Sequence, residues 1–144
     1  MDEEDEEIFY EQLEKADKVW TYIMDLAGTL VKCMPDQCSP QVQQKLLPLY
    51  GRALLDLHSK KTEGQILDAL CFLCDCLEFG NQALFDAVYP HAGPKMLEVI
   101  DAHGKKKFDY VQTAIFALGC MALRRPTGSF DQLEKTVAVV QQMF

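Results

Sequence analysis

Leu46-Leu47-Pro48-Leu49-Tyr50-Gly51-Arg52-Ala53-Leu54-Leu55-Asp56-Leu57 returns further along the chain as Val88-Tyr89-Pro90-His91-Ala92-Gly93-Pro94-Lys95-Met96-Leu97-Glu98-Val99. Proline, glycine, two apolar residues, an acid and another apolar residue fall in the same order. A second echo carries Ile66, Ala69, Leu70 and Leu73 onto Val111, Ala114, Ile115 and Leu118. Steps of three and four between apolar residues are those of an amphipathic helix. A helical unit that repeats cannot bury its apolar face alone, so successive units must stack.

The interval between echoes falls within the roughly 40–47-residue period of HEAT and armadillo solenoids, which use two helices per unit. The expected fold is therefore all-α: an α-α superhelix of about three antiparallel helix pairs, at residues 8–58, 62–103 and 106–144. In the first helix, Phe9, Leu13, Ala16, Trp20, Ile23, Ala27 and Leu30 form one apolar stripe. Pro35 ends it, because proline disfavours helix in the residue before it.

Ser39-Pro40 reads as the cap and first position of the second helix, which runs to His58 with a kink at Pro48. Thr62-Glu63-Gly64-Gln65 has capping-box order and opens a third helix that reaches Phe79. Gly80-Asn81 turns the chain into a fourth helix, interrupted from Pro90 to Pro94 and resumed to Ala102. A fifth spans Phe108 to Arg124. Ser129 and Gln132 box the last, whose Phe130, Leu133, Val137 and Val140 share a face. No stop signal follows Gln141-Gln142-Met143-Phe144, and the outer pairs lack a polar capping face, which predicts a slice of a longer array.

The chain has 144 residues, 49% of them hydrophobic, enough for one domain with a core. Its net charge of −8 is concentrated at the start. Asp2, Glu3, Glu4, Asp5, Glu6 and Glu7 form an acidic leader at residues 1–7, expected to be solvated and mobile; the remainder is nearly balanced. The leader's alternative reading is an acidic surface for basic partners. No concentrated basic stripe calls for nucleic acid, and no apolar run reaches the roughly 20 residues that span a bilayer.

The six cysteines read as structural, buried thiols: Cys71, Cys74 and Cys76 sit inside an apolar helical run as small hydrophobes, and Cys33 and Cys38 flank a turn. Cys71-x-x-Cys74 has metal or redox spacing but lacks a matching second pair. His58, His91 and His103 accompany no nucleophile motif, and His58 and His103 suit the negative ends of helices. No phosphate-cradling loop, His-Glu-x-x-His or calcium loop occurs. The expectation is a protein without catalytic residues, metal or cofactor. Lys60-Lys61 and Lys105-Lys106-Lys107 occupy equivalent links, as solvated charge or as contacts for an acidic partner.

Leu70-Cys71-Phe72-Leu73-Cys74-Asp75-Cys76-Leu77-Glu78, continuing through Ala83 and Phe85, resembles the karyopherin-β (importin-β) superfamily, within it the importin-5 (karyopherin-β3) branch. Pro94-Lys95-Met96-Leu97-Glu98 and Leu118-Gly119-Cys120-Met121-Ala122 follow in the same order. The likeness covers residues 65–125 well and the rest by arrangement. Lys105-Lys106-Lys107-Phe108-Asp109 departs from it, since the family tends to have a short polar, proline-containing link there.

The resemblance implies a nuclear transport receptor shuttling between cytoplasm and nucleus. Its partners would be protein cargo with basic signals, a Ran-type small GTPase and phenylalanine-glycine nucleoporins. The second helix of each pair would line the inner surface, where Asp56, Glu98 and Asp101 would meet basic cargo. Grooves near Phe72, Phe79 and Phe116 on the outer helices would accept phenylalanine side chains. Helix capping or solvation for the acids, and core packing for the aromatics, are the alternative readings. Two other classes stay open: a HEAT scaffold outside transport, such as a phosphatase or cytoskeletal regulator, and a compact helical bundle with a metal or catalytic site.

Overall fold

A computed structural model describes residues 3–60, 62–104, 106–125 and 133–143. These are mostly helical, with short turns and one irregular connector and no strand among the described residues. The elements are α1 (Glu3–Cys33), α2 (Pro35–Gln41), a π-helical turn (Val42–Leu46), α3 (Leu47–Ala53), α4 (Glu63–Phe79), α5 (Gln82–His103), α6 (Phe108–Arg124) and α7 (Leu133–Met143).

The first helix begins at Glu3, earlier than its apolar period suggests. Glu3, Glu4, Asp5 and Glu6 occupy its first turn, where acids complement the partial positive charge of a helix N-terminus. Its inward face is also rotated from the expected stripe. Met24, Ala27, Gly28 and Val31 are buried and Trp20 is half-buried, whereas Phe9, Ala16, Ile23 and Leu30 are exposed. Gly28 lies on that inward face against α4, where a Cβ would displace the Asp75 carboxylate.

Pro35, rather than Pro40, opens the second helix, and Ser39 lies buried within it, its hydroxyl accepting from Gln43 Nε2 at 3.0 Å. At Pro48 the chain widens instead of kinking. Proline has no N–H and its ring crowds the carbonyl four residues back. The π turn absorbs this, with the Leu47 N–H donating to the Val42 carbonyl. The helix then stops at Ala53, short of His58.

Thr62 makes no side-chain cap. Its expected partner Gln65 instead donates to Asp17 Oδ1 of α1 at 2.7 Å. Asn81 does cap α5, accepting from the Leu84 N–H at 2.9 Å. The interruption expected between Pro90 and Pro94 is absent. Both prolines are exposed on one side of a continuous helix that ends at His103 and is capped by Gly104, whose φ is +49°. Carbonyls freed on a solvent face can be hydrated, so that side tolerates proline. The Ser129–Gln132 box and Phe130 lie outside the described residues.

The helices stack as hairpins. α1 packs on α4 and α4 on α6, so the first helices of the three pairs form a row with α4 in the middle. The α2–α3 segment and α5 form a second layer against that row, and α7 touches α6. The row is parallel. Asp17, Thr21 and Lys32 meet Gln65, Asp68 and Asp75 in ascending order, and Glu63, Cys74 and Leu77 likewise meet Tyr110, Thr113 and Arg124.

One core runs from the second half of α1 through α6. Echoed positions are buried in both copies: Tyr50 and Ala92, Leu54 and Met96, Leu57 and Val99, Ile66 and Val111, Leu73 and Leu118. Each large aliphatic among them contributes about 1.5–3 kcal/mol by leaving water. Tyr50 stacks on Phe72 with ring centroids 4.1 Å apart, and Trp20 meets Tyr50 edge-on.

Candidate functional site

Parallel stacking of α4 and α6 leaves an apolar groove of about 320 Å³ between them. Leu77, Phe116, Gly119, Cys120 and Leu123 line it, together with Glu78 and Arg124. Phe116 is 51% exposed at the rim, although the same helix buries Ala114, Ala117 and Leu118. Arg124 is fixed structurally: its Nη1 donates to the Leu77 and Gly80 carbonyls at 3.0 and 2.9 Å, and its guanidinium lies over the Phe85 ring. It thereby satisfies carbonyls at the α4 terminus that no longer have a helical partner. That role is hidden in the sequence, which places Arg124 simply at the end of the fifth helix.

The other aromatics expected to line outer grooves lie elsewhere. Phe72 is 2% exposed and stacked on Tyr50, so it belongs to the core. Core packing, the alternative reading for this residue, is what the structure shows. Phe79 is 42% exposed at the end of α4, with the Lys32 ammonium 5.6 Å from its ring centroid. Only Phe116 lines the α4–α6 groove.

A second cavity of about 300 Å³ opens between α3 and α5 in the other layer. Leu47, Tyr50, Leu54, Val88 and Ala92 line it, with His91 and Lys95 at its edge. The expected acids lie on this side of the fold, in three different settings. Asp56 sits beyond the end of α3 and accepts from the His58 N–H at 3.1 Å, so it holds a turn. Glu98 pairs with Lys95 at 2.6 Å, and Lys95 also donates to the Leu54 carbonyl at 3.3 Å. Asp101 is exposed near the end of α5. The structure does not gather the three into one acidic cluster.

The connector after α3 meets α5 through two imidazoles. His58 and His103 have ring centroids 5.2 Å apart, and Tyr110 packs edge-on against His103 at 5.0 Å. Burial pushes the His103 pKa below its ordinary value; a hydrogen bond to the Leu57 backbone opposes this, and His58 and Lys107 add to the lowering. Glu63 pairs with Lys107, whose bond holds the carboxyl below the usual range.

Sequence reasoning missed the polar ladder between α1 and α4. Thr21 donates to Asp68 Oδ2 at 2.8 Å, and Lys32 pairs with Asp75 at 3.2 Å. Burial raises the Asp68 pKa despite the Thr21 bond. These residues lie beside the apolar stripes rather than in them, so spacing alone gave no signal for the ladder.

All six cysteines are free thiols, but Cys33 and Cys71 are exposed, against the expectation of buried hydrophobes; Cys74, Cys76 and Cys120 are buried. Burial raises the Cys74 and Cys76 pKa values well above the ordinary thiol range. Among the described residues, no group of three His, Cys, Asp or Glu side chains is placed to hold a metal. No described helix is long and apolar enough to cross a membrane.

Comparison with family models, curated proteins and solved structures gives no match to this chain.

Proposed function

We propose that this chain is a protein-binding helical scaffold of the nuclear transport receptor type, and that its outer surface takes phenylalanine side chains from phenylalanine-glycine repeats. The observation that carries this is the groove between parallel α4 and α6, with Phe116 half-exposed among its lining residues. An apolar groove near the lower end of the usual pocket size admits one or two side chains, which suits weak, reversible capture of a short aromatic motif.

On this reading protein cargo with basic signals and a Ran-type GTPase engage the second layer, where Asp101 is exposed. Asp56 and Glu98 already have intramolecular partners and serve the fold there. The receptor works in the cytoplasm and nucleus.

The test is titration of a phenylalanine-glycine repeat peptide, followed by fluorescence anisotropy. The expected result is saturable binding weakened about tenfold by Leu123→Asp, since one lost anchor is worth roughly 1.4 kcal/mol. Absence of binding to the peptide, together with absence of binding to a GTP-loaded Ran-type GTPase, removes the transport reading and leaves a scaffold of another pathway.

A further inference from the structure

The row of first helices has two ends, and both are apolar. On α1, Val19, Tyr22, Ile23, Leu26 and Leu30 are 38–70% exposed and follow helical steps on the side turned away from Met24, Ala27 and Val31. They make a second apolar face on a helix that already buries one against α4.

At the far end, the repeat identifies the exposed face of α6. The echo that carries Ile66 onto Val111 and Leu70 onto Ile115 also carries Glu63, Cys71, Cys74 and Glu78 onto Phe108, Phe116, Gly119 and Leu123. Those four α4 positions face α6. Glu63 accepts from Tyr110 and pairs with Lys107, Cys71 and Cys74 bond to Thr113, and Glu78 borders the groove beside Phe116. Their four counterparts on α6 are all exposed, Phe108 at 65% and Leu123 at 84%. The α6 stripe is thus the stacking surface of α4 shifted by one unit and left uncovered. Gly119 lies in its middle, and a Cβ built there meets nothing within 4 Å.

We propose that a second copy of this chain covers these faces, the α6 stripe of one molecule stacking on the α1 stripe of the next. The contact continues the interface that α1 makes with α4 and α4 makes with α6. It joins two different surfaces, so it is heterologous and leaves an end open for further addition. Helices stacked in this way approach to about 8–10 Å between axes, which a glycine at the contact favours.

The experiment is sedimentation equilibrium of the 144-residue chain across a wide concentration range, with two end-blocking variants. Leu26→Arg puts a cation on the α1 face, and Gly119→Arg puts one on the α6 face. Both sites are exposed, and circular dichroism checks that each variant keeps its helix content.

The wild-type mass is expected to rise with concentration beyond a dimer. Each variant alone is expected to stay monomeric, and an equimolar mixture to reach twice the monomer mass and stop there. The two intact ends in that mixture are on different molecules. A wild-type chain that remains monomeric overturns the proposal. So does self-association of Gly119→Arg alone, which would mean that α1 faces pair with one another. Phe116, Gly119 and Leu123 belong to both the groove and the stacking stripe, so monomeric Leu26→Arg is expected to bind phenylalanine-glycine peptide at least as tightly as the wild type. Self-association without peptide binding overturns only the proposed function, and peptide binding by a wild type that stays monomeric overturns only the stacking.

Discussion

The segments from Pro48 to Leu57 and from Pro90 to Val99 share a residue pattern yet take different paths. The first enters through a π turn, stays helical only to Ala53 and then forms an irregular connector. The second is part of one helix from Gln82 to His103, with prolines at two of its positions. Their acids account for much of the difference. Asp56 is short enough to bond the backbone N–H two residues on, a local bond that competes with helix. Its counterpart Glu98 reaches back one turn to Lys95, a pairing that supports helix. Ala53 stands where α5 has Lys95, so the first segment cannot make that pair. Lys95 then donates within that layer to the Leu54 carbonyl, helping to satisfy the end that the first segment exposes.

The largest effect on this comparison is expected at Tyr50. Tyr50→Ala leaves a cavity against Phe72 and Trp20 and should cost about 3–5 kcal/mol in urea unfolding. Ala92→Gly at the equivalent position should cost only about 1 kcal/mol, the usual helix penalty. Pro90→Ala restores a donor inside α5 and should raise stability by about 1–2 kcal/mol after allowing for the freer unfolded chain. Pro48→Ala should gain less, since the π turn already relieves the proline there. Equal gains from the two, read from urea midpoints, would count against that explanation.

Lys95→Met removes the bridge between the segments and should cost about 1 kcal/mol, with faster hydrogen exchange in the connector. The smallest effect concerns His103. Its folded pKa lies below the ordinary 6.5, so the unfolded chain takes up the proton first as pH falls. The associated stability is complete above pH 6.5, declines below it, and levels off once folded His103 is protonated too. His103→Gln should remove this component from the pH profile of the urea midpoint.

Much of the fold was legible because it depends on periodic apolar residues. The α6 boundaries followed from its apolar run and flanking breaks, and the echo identified the buried positions in both second-layer segments. The errors arose where tertiary contacts overrode local signals. Thr62-Glu63-Gly64-Gln65 has the order of a cap, but Gln65 is committed to Asp17 on another helix. The face that α1 turns inward follows its contacts with α4, among them Asp17 with Gln65 and Thr21 with Asp68, residues far apart in sequence. The candidate groove was readable only at Phe116. Phe72 and Phe116 are both aromatic residues on first helices, and only packing determines that one is core and the other is rim.

The central claim is that α4 lies between α1 and α6 in a parallel row. Methyl and aromatic nuclear Overhauser contacts in the folded chain test it most directly. The expected result is contacts from Met24 and Val31 to α4, contacts from Ala114, Ala117 and Met121 to α4 or α5, and none linking the two sets. Direct contacts between Met24 or Val31 and Ala117 or Met121 would mean that the helices surround one common centre, and would contradict the account.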